Sequence, residues 1–287
     1  MPNILVTGAE GQLGQCFQAI AKEFPTHKLF FVSKNTLDIT KAESLERVYN
    51  QHSFEGIINC AAYSKVDEAE IEIEKAYQIN HKGIQNLVAL AEHKDLFIIH
   101  FSTDYVFDGR ERIPIKEDNA KNPLNHYAES KLAGEKVLSN SNCSNITFRV
   151  SWLFSPFGSN FVKKILRLSE AKKDIKVVKD QFGKPTYGID LARVVLNKLT
   201  HSGFFDFHCY HYACKGIISR FDFAKKVSEF SKNHFVVTPC LTSDYPTTAL
   251  RSKYTVLDTK RIENHLSLDP SPWENALQRC LERIELK

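Results

Sequence analysis

Two short segments carry side chains that could hold, protonate and reduce a carbonyl group. Residues 102–109 (STDYVFDG) place Thr103 beside a carboxylate and a phenol, and residues 127–131 (YAESK) contain Tyr127 and Lys131. A hydroxyl can orient a carbonyl oxygen, and a phenol can donate a proton to it. The sequence therefore predicts a site for carbonyl reduction, provided that the first segment ends a buried strand and the second lies on a helix.

Tyr127 and Lys131 lie one helical turn apart, so on a helix their side chains share one face. A neighbouring ammonium would lower the phenol pKa from about 10 toward neutral pH. Such a pair also arises by chance, and it gains weight from Thr103, which ends the fourth predicted strand. Because ligands of open α/β sheets bind beyond the carboxyl ends of the strands, we expect Thr103, Tyr127 and Lys131 to be catalytic. The alternative for Thr103 is a structural cap of the strand end.

Gly8, Gly11 and Gly14 directly follow the first predicted strand and open an amphipathic pattern. Their missing Cβ atoms permit a tight turn, close approach of a pyrophosphate and packing of a helix on the sheet. The spacing differs from the Gly-x-Gly-x-x-Gly fingerprint, and a merely structural turn is the alternative. The position between a strand and a helix favours a dinucleotide site that includes Gln12 and Leu13.

The end of the second predicted strand bears on which dinucleotide binds. An NAD-binding site usually has Asp or Glu there, whereas this chain has Ser33 and Lys34. A hydroxyl and an ammonium attract a 2′-phosphate, so NADPH is favoured and NADH is left open. The alternative for Lys34 is a solvated loop lysine. Asp38, followed by Ile39, comes too late for the ribose and either faces the adenine or caps the next helix.

Asn80 ends a helical apolar pattern that faces the same predicted region. Its amide could hold a water molecule for proton relay, or it could satisfy the end of a helix. The sequence leaves both roles open.

Short apolar runs alternate with longer amphipathic ones over the first half of the chain. Strands are predicted at residues 4–7, 29–32, 56–60, 97–101 and 146–151. Helices are predicted at residues 13–24, 42–50, 72–92 and 127–138. This alternation is typical of an α/β fold with a Rossmann-type, doubly wound parallel sheet. The long loop at residues 108–125 could cover a ligand.

After about residue 152 the pattern becomes irregular. Helices are predicted at residues 161–169, 189–199, 221–231 and 273–284, and strands at residues 176–178 and 207–213. We therefore predict a second, smaller, mixed α/β substrate domain. Residues 1–152 are assigned to an NADP(H)-binding domain to which parts of 175–213 return, and residues 153–287 mainly to the small domain.

Composition excludes several classes of protein. The 287 residues are 43% hydrophobic, which is enough to fill a core. A formal charge of +4 without a basic run predicts neither nucleic-acid nor membrane partners. We find no signal peptide and no apolar run approaching the roughly 18 residues of a membrane span. Seven cysteines without a Cys-x-x-Cys motif indicate reduced thiols and a cytoplasmic location.

Residues 207–214 (FHCYHYAC) cluster two histidines and two cysteines. Because side chains alternate on a strand, Cys209 and His211 would point away from His208 and Cys214. Four ligands could not converge on one ion, so we predict no metal site.

The glycine loop, the strand-end threonine and the Tyr-x-x-x-Lys pair resemble those of the extended short-chain dehydrogenase/reductases. The resemblance covers nearly the whole chain and extends to residues 59–70 (NCAAYSKVDEAE), 102–109 (STDYVFDG), 149–154 (RVSWLF), 180–186 (DQFGKPT) and 251–258 (RSKYTVLD).

The resemblance implies hydride transfer from NADPH to the 4-keto group of a dTDP-linked 4-keto-6-deoxyhexose. It implies a nucleotide sugar as the small-molecule partner and leaves a homodimer open. The catalytic residues implied are Thr103, Tyr127 and Lys131. The cofactor residues are Gly8, Gly11, Gln12, Leu13, Gly14, Ser33, Lys34, Asp38, Ile39, Ala61, Ala62, Tyr63, Asn80, Ser102, Tyr127 and Lys131. The substrate residues are Thr103, Asp104, Tyr105, Trp152 and Arg251.

Three departures from the family pattern concern the substrate pocket more than the chemistry. Ser252 stands where proline is usual, Thr255 where serine is frequent, and Cys60 where alanine is common. They leave the nucleotide base and the sugar stereochemistry open.

Other members of the same family remain alternatives. Sugar-nucleotide dehydratases carry an Asp-Glu pair after the strand-end threonine, whereas Asp104 is followed here by Tyr105, which favours simple reduction. Epimerases usually carry a larger C-terminal domain. A non-catalytic NADP-binding subunit, similar to the β subunit of methionine adenosyltransferase, also keeps the Tyr/Lys pair. Trp152 favours the enzyme over that subunit.

Overall fold

Thirteen strands and ten α-helices are assigned within the residues that the computed structural model describes, which are 2–171, 175–232 and 234–285. The strands are β1 (Asn3–Thr7), β2 (Lys28–Phe31), β3 (Gly56–Asn59), β4 (Phe97–Thr103), β5 (Asn145–Val150), β6 (Leu153–Phe154), β7 (Ile175–Val178), β8 (Phe182–Gly183), β9 (Thr186–Tyr187), β10 (Cys209–Tyr212), β11 (Ile218–Ser219), β12 (Val237–Cys240) and β13 (Tyr254–Thr255). The helices are α1 (Gln12–Ile20), α2 (Ala42–His52), α3 (Ile73–Tyr77), α4 (Gly83–Lys94), α5 (His126–Ser139), α6 (Phe161–Glu170), α7 (Gly188–Lys198), α8 (Arg220–Phe230), α9 (Lys260–His265) and α10 (Trp273–Glu285).

Six parallel strands form the central sheet in the order β10-β5-β4-β3-β1-β2. The chain passes from β1 to β2 on one side and then returns to β3 on the other, so the strand order reverses at β1. Ligands of open α/β sheets bind at such a reversal, beyond the carboxyl ends of the strands. The prediction of a Rossmann-type, doubly wound sheet is confirmed. The smaller sheets β11-β8-β13, β12-β7 and β6-β9 complete the mixed second part of the fold.

Successive residues of β1 pack into two different cores because side chains alternate across a sheet. Ile4 and Val6 lie in the core that contains Phe17 of α1, whereas Leu5 lies in the core that contains Leu45 of α2. Helix α1 packs on α7, while α2 and α5 pack on α4. Helices therefore cover both faces of the sheet and leave its carboxyl edge for the site.

The prediction of a single continuous helix at residues 72–92 is wrong. Between α3 and α4 the chain forms a π-helical turn, Gln78–Lys82. This turn brings the Asn80 carbonyl against α5, where a Cβ added to Gly134 would lie only 2.2 Å from the carbonyl oxygen. Because Gly134 has no side chain, the π-helical turn can pack closely against α5.

The second half of the chain differs from the prediction mainly in its short elements. Strand β10 is shorter than predicted and lies at the edge of the central sheet beside β5. β12 and α9 were not predicted, because β12 contains Pro239 and neither element has a long apolar period. Within the described ranges, none of the helices combines the length and apolar character needed to span a lipid bilayer.

Candidate active site

Polar side chains end three strands at the carboxyl edge of the sheet. Thr7 ends β1 opposite Asn59 of β3, and Thr103 ends β4 opposite Val150 of β5. A cavity of about 380 Å³, here called the central cleft, opens beyond this edge. The predicted site residues that line it are Gly11, Gln12, Leu13, Ala61, Ala62, Ser102, Thr103, Asp104, Tyr105, Tyr127, Lys131 and Trp152.

The glycine loop crosses the sheet edge so closely that side chains would not fit. Gly8 has a φ of +63°, and a Cβ there would lie 2.6 Å from the Ala61 backbone nitrogen. A Cβ on Gly14 would lie 2.4 Å from the Gly8 carbonyl oxygen. Gly11 precedes α1, whose first turn contains no acidic side chain. The free N–H groups of that turn therefore suit a pyrophosphate.

Three buried polar atoms on residues of the central cleft have no hydrogen-bond partner among the described residues. They are Nε2 of Gln12, Oγ of Ser102 and Oδ2 of Asp104. An unsatisfied buried group costs about 1–3 kcal/mol, so such atoms are usually paired when the site is filled. Together with the tight glycine loop, the atoms of Gln12 and Ser102 fit a polar dinucleotide.

Helix α5 places Tyr127 at the cleft. Asn125 begins the helix by accepting a hydrogen bond from the Ala128 N–H over 2.9 Å, which puts Tyr127 in the first turn. Thr103 comes from β4, and its Oγ1 accepts from the Tyr105 N–H over 3.2 Å. Burial raises the pKa of Tyr127, and hydrogen bonding to Thr103 opposes part of that rise. The structure thus brings the hydroxyls of Thr103 and Tyr127 together, as predicted.

The lowering of the Tyr127 pKa by Lys131 remains a prediction, because burial dominates the pKa of the tyrosine in this structure. The Tyr127 pKa is raised, by burial first and then by the nearby Asp104 and Tyr105, and it is not lowered toward neutrality. Nζ of Lys131 donates to the Phe101 carbonyl over 2.6 Å and lies 3.1 Å from Nε2 of His100. The lysine turns under the end of β4 because these partners lie there.

Asp104 follows Thr103 and is only 3% exposed. Burial raises the pKa of its carboxyl group to about 6, while Thr255 and Arg220 oppose the rise. Thr103 Oγ1 donates to Asp104 Oδ1 over 3.2 Å. The Thr103 hydroxyl is therefore held by hydrogen bonds to Asp104 and Tyr105.

Arg220, which the sequence reasoning missed, lies at the first residue of α8 and lines the central cleft. Its Cζ lies 3.8 Å from the centroid of the Trp152 ring. Trp152 in turn covers Gly183, where an added Cβ would lie 2.7 Å from the indole. Burial lowers the pKa of Arg220, and a hydrogen bond to Tyr105 opposes this. Ser219 begins α8 by accepting a hydrogen bond from the Asp222 N–H over 3.0 Å, close to the start of the helix predicted at residues 221–231.

A second cavity of about 580 Å³, here called the outer cavity, continues from the central cleft. The two share Tyr105, Phe161 and Arg220. Arg251 lies in the outer cavity and pairs with Asp67, with 2.7 Å between Nη2 and Oδ2. The hydrogen bond from Arg251 lowers the pKa of Asp67. The predicted substrate residue Arg251 is therefore separated from Thr103 and Tyr127 by the shared wall.

The residues predicted for the adenosine end lie on the surface beyond β2. Lys34 and Asp38 line a cavity of about 530 Å³ with Arg47, and Ser33 precedes them. Asp38 Oδ1 accepts from the N–H and the hydroxyl of the residue two positions later, over 3.0 and 2.8 Å, so its carboxylate holds a turn before α2. The side chain of Ile39, which was predicted to contact the cofactor, is buried in the core that contains Leu5.

Tyr63 and Asn80, which were predicted to contact the cofactor, are not among the residues that line the central cleft. The Tyr63 hydroxyl donates to Glu72 over 2.6 Å. Asn80 Oδ1 accepts from the Tyr63 N–H, and its Nδ2 donates to the Tyr63 carbonyl and to Ser130. Both amide hydrogens of Asn80 are engaged, and its side chain fixes the loop after β3.

Ten further residues of the central cleft, on strands and loops and at the start of α6, were not assigned to the site in the sequence analysis. They are Asn59, Cys60, Ser64, Val66, Phe101, Val150, Leu153, Ser159, Asn160 and Phe161. Within the described ranges, no group of three or more His, Cys, Asp or Glu side chains is arranged to hold a metal ion.

Comparison with known proteins gives consistent matches over the full length. The model of the family described as "RmlD substrate binding domain" matches residues 2–286. The chain is 34% identical to the dTDP-4-dehydrorhamnose reductase of Aggregatibacter actinomycetemcomitans, covering 97% of this chain and 98% of that protein. It is similar to the crystal structure of a dTDP-4-dehydrorhamnose reductase from Clostridium acetobutylicum, with a TM-score of 0.93, 36% identity and 99% of each chain covered. A dTDP-4-dehydrorhamnose reductase from Bacillus anthracis, solved in complex with NADP, has a TM-score of 0.91 and 34% identity, with 98% of this chain and 99% of that chain covered.

Proposed function

Because the chain belongs to the RmlD substrate binding domain family, we propose that it is an NADPH-dependent reductase that converts dTDP-4-dehydrorhamnose to dTDP-rhamnose. The reaction is reduction of the 4-keto group of a dTDP-linked 4-keto-6-deoxyhexose. The observation that carries the proposal is the meeting of Thr103 and Tyr127 at the carboxyl edge of the sheet, beside a glycine loop fitted to a dinucleotide.

The glycine loop, with Ala61, Ala62 and Ser102, is assigned to the cofactor. When bound, NADPH supplies the hydride. Ser33 and Lys34 are assigned to the 2′-phosphate, because a hydroxyl and an ammonium favour a phosphate there and a carboxylate would repel it. The NADP-bound relative from Bacillus anthracis supports this choice of cofactor.

Tyr127 is the proton donor in this proposal, and Thr103 holds the same ketone oxygen. The buried Tyr127, whose pKa is raised, is protonated at neutral pH and therefore has a proton to donate. The Thr103 hydroxyl donates its one proton to Asp104 Oδ1 in this structure, so it must turn from Asp104 toward the ketone oxygen when the substrate binds. Lys131 lines the cleft from the base of β4 and is assigned to the cofactor side.

The outer cavity is assigned to the nucleotide part of the substrate. Arg220, Arg251 and Lys164 line it and supply positive charge for a diphosphate. Trp152 forms a wall where the central cleft meets the outer cavity, which is where the sugar would lie, and it contacts Arg220 and Gly183. In this proposal residues 1–152, with parts of 175–213, bind NADP(H), and residues 153–287 mainly bind the substrate.

The proposal also includes a cytoplasmic location and a homodimer. The seven cysteines, all free, support a reducing compartment. Light scattering coupled to size-exclusion chromatography tests the dimer, since a monomer would elute with the 32.8 kDa mass of a single chain.

The activity is tested by mixing the purified protein with NADPH and dTDP-4-dehydrorhamnose and following the absorbance of the reduced nicotinamide. The expected result is NADPH oxidation in proportion to the sugar nucleotide added. dTDP-glucose, which has no keto group, serves as the matched control and should give no oxidation. A silent assay with the keto sugar, accompanied by tight binding of a second protein, would favour the regulatory-subunit alternative.

A further inference from the structure

Four buried polar side chains contact one another in series beside the central cleft, from Thr7 to Lys131. Thr7 donates to Asn59 Oδ1 over 2.6 Å, and Asn59 Nδ2 lies 3.1 Å from His100 Nδ1. His100 Nε2 lies 3.1 Å from Lys131 Nζ. All four residues are 2% exposed or less. Because these side chains are buried, each hydrogen-bond donor needs an acceptor, and this requirement constrains where the protons of the four side chains lie.

The backbone fixes the orientation of the Asn59 amide. The Ala61 N–H donates to Asn59 Oδ1 over 3.2 Å, so the amide oxygen must face Ala61 and Nδ2 must face His100. An amide nitrogen only donates, and therefore Nδ1 of His100 accepts. Burial holds the pKa of His100 well below its ordinary value, so the imidazole is neutral. Its one proton is consequently on Nε2.

The Nε2–H of His100 points at Nζ of Lys131. An ammonium has three donors and no acceptor, whereas an uncharged amine has a lone pair that can accept this hydrogen bond. The lysine also donates to the Phe101 carbonyl, which an amine can still do. We propose that His100 is a positioning residue whose Nε2–H donates to the uncharged amine of Lys131, holds it at the cleft and favours it over the ammonium.

The charges around Lys131 are compatible with this assignment. Glu135, on the same helix, favours the ammonium, but it is engaged by Arg149 of β5 through Nη2 and Oε2 at 2.7 Å. Tyr127 and Asp104 face the same cleft from α5 and from the end of β4. Burial dominates and lowers the pKa of Lys131 to about 8. The lysine is therefore mainly an ammonium at pH 7 and mainly the uncharged amine above about pH 8, and the uncharged amine is the state that accepts the hydrogen bond from His100.

Two substitutions of His100 separate its two contacts. Asn places a polar atom near the Nδ1 position, so His100→Asn keeps the contact with Asn59 and loses the one with Lys131. Gln reaches the Nε2 position, so His100→Gln keeps a polar partner for Lys131. His93→Asn, at an exposed position of α4, is the matched control.

The titration of Lys131 can be followed by 13C NMR of the lysine Cε signal that disappears in Lys131→Met. We expect a midpoint near pH 8 in the wild type and in His93→Asn. In His100→Asn the midpoint should rise by at least about one pH unit, because the uncharged amine loses its donor, and in His100→Gln it should move by less than half of that. Equal midpoints in the wild type and His100→Asn, or equal shifts in the two His100 variants, would overturn the proposal.

The tautomer of His100 is measured on the wild-type protein by 15N NMR of the ring nitrogens, so the result does not depend on the folding of a variant. The expected state is neutral with the proton on Nε2, and a proton on Nδ1 would contradict the proposal. The catalytic meaning of His100 rests on the proposed function, and there we expect the pH profile of kcat to move with the Lys131 midpoint. If the wild type does not oxidise NADPH with the keto sugar, the proposed function fails, while both NMR measurements still decide on His100.

Discussion

The guanidinium of Arg220 lies over the indole of Trp152, with 3.8 Å between Cζ and the ring centroid, where the central cleft meets the outer cavity. The arginine thus orients the wall of the proposed sugar pocket and carries positive charge toward the proposed diphosphate site. Lysine would keep the charge but lose the planar contact.

We predict that Arg220→Lys raises the KM for the sugar nucleotide about 10-fold, in line with the loss of a partly desolvated cation–π contact. The Kd for NADPH should stay the same, because the glycine loop is untouched. Steady-state kinetics and fluorescence titration with NADPH measure the two quantities. An unchanged KM would show that Arg220 does not shape the substrate site.

Thr103→Val should lower kcat about 100-fold, because the ketone oxygen loses a hydrogen-bond donor. Thr103→Ser keeps the hydroxyl and should retain most of the activity, which separates the chemical role from the capping of Tyr105. The comparison is made from kcat at saturating substrate. Equal losses in both variants would indicate a role in packing.

Gly8→Ala should weaken NADPH binding by at least about 10-fold and destabilise the protein, since the added Cβ would strike the Ala61 backbone at 2.6 Å and the φ of +63° disfavours any side chain. Gly203 also has a positive φ, +83°, but lies in a turn away from the central cleft. Gly203→Ala should lower the Tm and leave the NADPH Kd unchanged. Loss of NADPH affinity in both variants would mean that general destabilisation, and not the loop, is responsible.

Asp104 predicts a stability difference that depends on pH. Its folded pKa of about 6 lies above the ordinary value of 3.8, so the folded state binds the proton more tightly, and this contribution is lost as the pH rises through 6. Asp104→Asn imitates the protonated acid. We expect it to match the wild type near pH 4 and to exceed it at pH 7.5 by up to about 3 kcal/mol in the free energy of unfolding.

The measurement for Asp104 is urea unfolding of both proteins at the two pH values. Asp269→Asn serves as the control, because the Asp269 side chain is 87% exposed and its removal should give nearly the same small effect at each pH. A difference between Asp104→Asn and wild type that does not grow with pH would contradict a buried, proton-binding carboxyl group.

The sequence was sufficient for those parts of the site that depend on local pattern. Gly8 and Gly14 follow a strand and open a helix, and Tyr127 and Lys131 share a helix, so their placement follows from periodicity alone. The contacts of Lys131 did not follow, because His100 and the Phe101 carbonyl approach it from another strand.

Tertiary contacts also explain the residues that were misplaced or missed. Asn80 is turned away from the cleft by Tyr63 and Ser130, which lie far from it in the sequence. Arg220 reaches the cleft only because α8 packs near it, and the residues around it form no motif. Local rules predict which element a residue belongs to, whereas the partner of a buried polar group depends on the assembled fold.

Hydride transfer from NADPH to C4 of the sugar, with Tyr127 as the proton donor, is tested most directly with NADPH that carries deuterium at the transferred position of the nicotinamide. We predict that the wild type places one deuterium on C4 of the sugar product, detected by mass spectrometry and proton NMR. Tyr127→Phe should bind NADPH normally and transfer the label at least about 100-fold more slowly, because the proton donor is gone. Transfer by Tyr127→Phe at the wild-type rate, or a wild-type product without deuterium at C4, would contradict the account.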